Sequence, residues 1–191
     1  MAELKRALVP EVSEIRRKIL SFFFAFPDCS IGLTDLAGKI SSSKNSVRLA
    51  VLQLGREGLL HKEEIGKSWR ISTVSKNPRF IAKKIAYHLG LLYESLIYQS
   101  VYMEVPHARA IIFFGSCRWG TDNEKSDIDL AVEILGNQGL RIKPLGVIKR
   151  FGFRKNVKVN LHIFSRTSVD LNLFTNIANG IVLDGLLEAH P

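Results

Sequence analysis

Along the first third of the chain, apolar residues recur at helical spacing. From 11 to 26, Val12, Ile15, Ile19, Phe22, Phe23 and Phe26 fall three and four apart, which predicts one helix face, and Pro27 ends it. A second short helix fits Asp35 to Lys39 with Thr34 as its cap. Ser41 to Ser43 offer hydroxyls to cap a third helix that runs to about Arg56. The buried face of this helix is Val47, Ala50, Val51 and Leu54, and its polar face presents Lys44, Asn45 and Arg48. Gly55 or Gly58 stops it, Leu59-Leu60 begins a strand, and Gly66 sits at the tip of a hairpin with arms His61 to Ile65 and Ser68 to Thr73.

The pattern changes near residue 76. Asn77-Pro78 reads as a cap and first-turn proline opening a helix that reaches Tyr102, with a stripe of Ile81, Ile85, Leu89, Leu92 and Leu96. Leu91, Tyr93, Ile97, Tyr98 and Val101 widen its apolar surface, so it is expected to pack on both modules or on a second chain. All four tyrosines lie on it and read as packing residues, as His88 reads as a core or surface histidine. Ala110 to Phe114 is a continuous apolar run suited to a buried strand. Residues 144 to 153 suggest a helix, and 157 to 164 alternate as a strand. Ser168 caps a helix to Ala178, and Asn179-Gly180 turns into a closing strand, Ile181 to Leu183.

The order helix, short helix, turn, capped helix, hairpin over residues 11 to 73 resembles a winged helix-turn-helix. The most family-like stretch is LTDLAGKISSSKNSVRLAVLQLGREGLL followed by HKEEIGKSWRIS. The resemblance implies that the third helix enters the major groove, where amides and guanidinium groups read base edges and lysines meet phosphates. Ser43, Lys44, Asn45 and Arg48 are the expected nucleic-acid contacts, with Lys67 and Arg70 from the wing.

The segment ARAIIFFGSCRWGTDNEKSDIDLAVEI, residues 108 to 134, holds the chemistry. A strand ends in Gly115-Ser116, where glycine permits a tight turn and close approach of a phosphate while Ser116 adds a donor. Asp127 and Asp129 follow on the next predicted strand, on one face and about 6.6 Å apart along it, while Ile128 and Leu130 enter the core. Two carboxylates so placed repel unless a cation lies between them, and Mg²⁺ suits one or two carboxylates plus phosphate oxygens and water.

Gly115, Ser116, Gly120, Ser126, Asp127 and Asp129 match, in order and spacing, the signature of the minimal polymerase-beta-type nucleotidyltransferases. With the ending NGIVLDG, the resemblance spans about residues 108 to 185. It implies transfer of a nucleoside monophosphate from a nucleoside triphosphate, expected to be ATP, to a hydroxyl of an RNA, protein or small-molecule acceptor, under Mg²⁺ or Mn²⁺. Two metal ions about 3.5 to 4 Å apart would clamp the reaction. Asp127 and Asp129 are then catalytic and metal-binding, and Gly115, Ser116, Arg118 and Ser126 contact the nucleotide; Trp119 is placed to stack on a base or to cover the core. The third carboxylate expected of the family falls at Asn160, an amide that cannot act as a general base. Three outcomes stay open: substrate or water replaces the ligand, His162 on the same face takes the proton, or catalysis is lost and the pocket senses nucleotide or holds a partner. Glu133 shares Asp129's face but lies about 13 Å along the strand, out of reach of the same metal. Such transferases often act beside a small helical partner protein.

The expected architecture is α+β: a winged helix at 1–75, a connecting helix at 76–106, and a small nucleotidyltransferase-like domain with a mixed sheet flanked by helices at 107–191. Composition agrees with folded modules: of 191 residues 46% are hydrophobic and 24% charged, which excludes a collagen-like or mainly disordered chain. The net charge of +9 points to anionic partners. From Arg118 to Glu133 five acids face two bases. From Ile134 to Val169 there are eight bases (Arg141, Lys143, Lys149, Arg150, Arg154, Lys155, Lys158, Arg166) and no acid. Cys29 and Cys117 lack disulfide or zinc spacing. Cys117 beside the phosphate turn is read as a small residue that fits. The longest apolar run, Ile19 to Phe26, is too short to span a bilayer, and Glu3, Glu11 and Glu14 spoil a cationic leader; the expectation is a cytoplasmic protein without membrane contact. A homodimer is compatible with the apolar helix surface.

Overall fold

The computed structural model of the chain describes residues 13 to 188. Positions 1 to 12, which include Val12 and the acids Glu3 and Glu11, lie outside the described residues. The chain divides after Asn77 into two units.

In the first unit, α1 spans Glu14–Ala25, capped by Ser13, whose hydroxyl accepts from the Arg16 amide. A two-residue strand β1, Ile31–Gly32, precedes α2, Leu33–Lys39. The cap is therefore Gly32, not Thr34, because the chain turns helical as soon as it leaves the strand; Thr34 lies inside α2, exposed. Helix α3, Lys44–Arg56, is capped by the Ser43 hydroxyl on the Ser46 amide, a contact typically worth about 1 kcal/mol. Its buried residues are Val47, Ala50, Val51 and Leu54, as the spacing requires. Gly58, at φ +70, takes the left-handed position that ends α3, and the Leu59 amide bonds back to the Leu54 carbonyl. Strands β2, Leu60–Ile65, and β3, Ser68–Thr73, form the hairpin about Gly66, and β1 adds to β3, giving an antiparallel sheet ordered β1-β3-β2. This is the element order expected of a winged helix.

In the second unit the long helix is broken: α4 covers Pro78–Glu94 and α5 Ile97–Glu104, with Leu96 left-handed at φ +53 between them. No Gly or Pro marks the break, so periodicity alone reads through it. The most buried stripe of α4 is Phe80, Lys84, His88 and Leu92, one residue off the purely apolar one. After β4, Ala110–Phe114, a short helix α6, Gly115–Trp119, leads through a loop to β5, Ile128–Glu133. Strands β6, Arg141–Phe151, and β7, Arg154–Phe164, follow, then α7, Leu171–Ala178, and β8, Ile181–Gly185.

Two expectations fail here. Residues 144 to 153 form most of β6 and its turn rather than a helix. Val147 and Ile148 are β-branched, Gly146 at φ +148 is outside helical geometry, and pairing with β7 decides the outcome. Helix α7 is capped by Asp170, whose carboxylate accepts from the Asn172 and Leu173 amides, while Ser168 donates to the Asn137 side chain.

The second sheet is ordered β6-β7-β5-β4-β8, antiparallel except for β5 against β7. Helices α4 and α5 cover one face with Leu92, Ile97 and Val101 over Ile111, Phe113, Ile128, Leu130, Val159 and Leu161. Helix α7 covers part of the other with Ile177 over Ile112, Phe114, Ala131 and Phe164. Tyr93 donates to the Leu183 carbonyl at 3.1 Å and Tyr102 to Asp184 at 2.6 Å, so both tyrosines tie the helices to β8. Among the described residues no helix is long and apolar enough to cross a membrane.

Candidate functional site

Antiparallel pairing sets Phe114 opposite Asp129, and parallel pairing sets Asp129 beside Asn160, so the end of β4, the start of β5 and the middle of β7 meet on the α7 face. Asp127 lies just before β5 rather than on it, yet converges on the same point. The Asn160 amide nitrogen is 3.4 Å from Asp127 Oδ2 and 3.3 Å from Asp129 Oδ1. His162, the next residue on that face, places Nε2 3.4 Å from Asp129 Oδ1 and sets its ring edge-on to Phe114, centroids 4.9 Å apart. The His162 hydrogen bond holds the half-buried Asp129 carboxyl below the usual carboxylate range, with the Asn160 amide adding to it against the opposing effect of burial.

Gly115 completes this corner. Its φ of +76 is open to glycine, and a Cβ there would stand 2.7 Å from Asp129 Oδ2. The turn and the carboxylate thus touch because residue 115 has no side chain. Two converging carboxylates beside an open backbone turn fit a single divalent cation: Asp127 and Asp129 supply charged oxygens, and the Asn160 amide has a neutral one to offer after rotation. Glu133 takes no part. It is buried and paired with Arg166, Oε1 to Nη2 at 2.7 Å.

Of the other expected nucleotide contacts, Ser126 spends its hydroxyl on the Asn123 turn, accepting from the Asn123 amide at 3.1 Å, which shapes the loop instead of pointing to a ligand. The Arg118 guanidinium lies 4.3 Å over the Trp119 ring, and Trp119 is exposed. Cys117 is buried, donates to the Asp127 carbonyl at 3.4 Å, and has its thiol pushed up to about 12 by burial, so it is no nucleophile.

Beneath the loop lies a cluster that periodicity did not reveal. Asp122, 1% exposed, is met by Lys84 Nζ at 3.0 Å, Arg154 Nη1 at 3.3 Å and His88 Nε2 at 3.6 Å. Lys84 also donates to the Asp122 carbonyl at 2.5 Å, and Arg154 to the Ser126 carbonyl. Side chains from α4 and β7 therefore grip both ends of the loop that delivers Asp127. The Cys117 carbonyl, 3.3 Å from His88 Nδ1, can only accept, so Nδ1 carries the proton; burial holds this imidazole below its ordinary pKa despite Asp122 nearby. His88, Cys117 and Asp122 bring N, S and O within 4.8 Å of one another. With two cations already on Asp122 and the thiol protonated, their chemistry is that of a buried ion cluster. The available signal was a lysine and a histidine four apart on an otherwise apolar helix stripe.

In the first unit, Lys44, Asn45, Arg48 and Lys67 come together in a cleft of about 470 Å³, with Gly32, Asp35 and Trp69 also lining it. Trp69, missed in the sequence, is the organiser: Arg48 lies 5.4 Å and Lys62 4.7 Å from its ring centre. Ser43 is consumed as the α3 cap, and Arg70 faces Glu63 at 3.9 Å, outside the cleft lining.

No protein-family model matches the chain, and no curated protein matches it. Among solved structures it is similar to the PcaV transcriptional regulator from Streptomyces coelicolor in complex with its natural ligand, at 16% identity and a TM-score of 0.35, covering 55% of this chain and 87% of that one. A likeness so distant assigns nothing, and the chain's own geometry carries the functional reading.

Proposed function

We propose that the second unit is a nucleotidyltransferase moving a nucleoside monophosphate from an NTP, with ATP as the first candidate, to a hydroxyl, and that the first is a winged helix that docks nucleic acid. The observation that carries the enzymatic reading is the convergence of Asp127 and Asp129 on one point beside the side-chain-free turn at Gly115. Bound between these carboxylates, Mg²⁺ or Mn²⁺ would neutralise triphosphate charge and polarise the α-phosphate. Gly115 lets the turn close onto the Asp129 carboxylate, and Ser116 supplies a hydroxyl donor. The acceptor oxygen bonds to the α-phosphorus, the bond to the bridging oxygen breaks, pyrophosphate leaves, and the hydroxyl proton passes to water. Asn160 takes no proton.

The test is transfer of label from α-phosphate-labelled NTPs to RNA, protein and small-molecule acceptors, with Asp127→Asn/Asp129→Asn as control. Transfer is expected to vanish in the double variant; transfer that survives removes the carboxylates from the reaction. A second reading, a catalytically degenerate regulator or antitoxin-like partner, draws on one observation: the neutral Asn160 amide donates to both carboxylates where the family's third acid is expected. ATP binding with no transfer to any acceptor would select it. For the winged helix, support comes from the basic cleft around Trp69. Lys44→Ala/Arg48→Ala should shallow the dependence of log K on log salt for duplex DNA by about 1.8, at about 0.9 per phosphate contact. An unchanged slope takes α3 out of the interface.

A further inference from the structure

We infer that the acceptor of the proposed transferase is a single-stranded nucleic acid, held along the projecting end of the β6–β7 ribbon with its terminal hydroxyl at the carboxylate pair; this rests on the transferase reading. The ribbon is longer than the sheet it belongs to. Strand β5 pairs with β7 only from Val159 to Phe164, whereas β6 continues along β7 to Arg154 opposite Phe151. Five residues of β7, about 16 Å of strand, therefore run on past the start of β5. Because β5 and β7 are parallel and Asp129 sits beside Asn160, this overhang extends on the Asp127 side of the site.

Charge is sorted along the ribbon. Of the eight bases in the acid-free stretch, Arg154, Lys143 and Arg166 are paired with Asp122, Glu104 and Glu133, and Arg141 donates to Gln138. The remaining four, Lys149, Arg150, Lys155 and Lys158, are exposed, make no ion pair among the described residues, and all lie on the overhang, with Arg150 also donating to the Gly152 carbonyl at 3.3 Å. Lys158 sits between the buried Val157 and Val159 and so shares the face of Asn160, about 6.6 Å along the strand. Opposite Lys158 and His162 on that face stand Val147 and Ile142, both more than half exposed, which offer apolar contact to sugars and bases.

One triphosphate at the Gly115 turn requires cations at a single point. Lys158 and Lys149 on the Asn160 face, with Arg150 and Lys155 facing each other one step beyond, spread cations over about 10 Å from a point next to the carboxylates, which matches successive phosphates instead. A ribbon free of acids repels a basic protein acceptor.

The experiment measures binding of fluorescent single-stranded RNA and DNA oligonucleotides across a salt series. The full chain carries Lys44→Ala/Arg48→Ala to remove the winged unit's contribution, and Lys149→Ala/Lys158→Ala, two lysines on the Asn160 face, is then added. At about 0.7 per phosphate contact, the added pair should shallow the salt slope by about 1.4, a loss of about 25-fold at about 0.1 M salt. It should also raise the acceptor's KM in label transfer without changing that of the NTP. The RNA and DNA arms identify the sugar. Transfer to a protein or small molecule, with no oligonucleotide bound or with ribbon variants inert, overturns the acceptor class and leaves the transferase standing. Oligonucleotide bound through the ribbon with no transfer to any acceptor overturns the transferase reading and the acceptor role with it.

Discussion

Removing the Asp122 carboxylate tests whether the loop carrying Asp127 is held by buried charge. Lys84, Arg154 and Asp122 are 0%, 3% and 1% exposed, and burial keeps His88 neutral near pH 7, so the cluster carries one excess positive charge. Asp122→Asn keeps the shape and leaves two excess charges in a site that water does not reach. Breaking a buried pair in this way costs about 3–5 kcal/mol, against about 5–15 kcal/mol for the whole stability of a domain. For a unit running from Pro78 to Pro191, at roughly 4 °C per kcal/mol, the melting transition should fall by about 12–20 °C. Lys84→Met/Asp122→Asn restores the native excess of one charge and replaces the lysine stem with an apolar one. It should therefore recover a substantial part of the loss. Thermal melts of the three proteins by circular dichroism, with the two units resolved as separate transitions, decide the matter. A drop under about 4 °C for Asp122→Asn, or a double variant less stable than the single, would refute the charge argument.

Two further outcomes follow from the same unit. Gly115→Ala should weaken Mn²⁺ binding and cost about 1–3 kcal/mol, since it places a Cβ 2.7 Å from Asp129 Oδ2 at a φ of +76; wild-type Mn²⁺ affinity would show that the turn and carboxylate do not touch. Because burial lowers the His88 pKa, the unfolded chain takes up a proton near pH 6.5 before the folded one does. Stability is then full above about pH 6.5 and falls below it, by at most about 1.4 kcal/mol per pH unit from this group. His88→Gln should flatten that limb in urea melts taken between neutral and mildly acid pH, and an unaltered limb would assign it to other groups.

What the sequence disclosed depended on how local its causes were. The serine cap of α3, a glycine stop at Gly55 or Gly58, the Gly66 hairpin and the buried face of α3 depend on neighbours a few residues away, and each was legible. So was the fully buried β4 run and the alternation of Val157, Val159, Leu161 and Ile163 in β7. The misread elements answer to distant partners. β6 is a strand because β7 lies beside it, and α4 stops where no glycine or proline announces it. The site divides the same way. Asp127 and Asp129 were visible as a pattern, but Lys84 and Arg154 lie 38 and 32 residues from Asp122, so the cluster beneath them became visible only once the chain was folded.

The seclusion of Cys117 gives the second unit a built-in reporter. The residue is 1% exposed, and its thiol, pushed up to about 12, is almost entirely un-ionised at neutral pH. Alkylation at that position must wait for the segment around α6 to open. In a Cys29→Ser background, the labelling rate of the remaining thiol would count openings of the ground beneath the carboxylate loop, while the first unit stays silent.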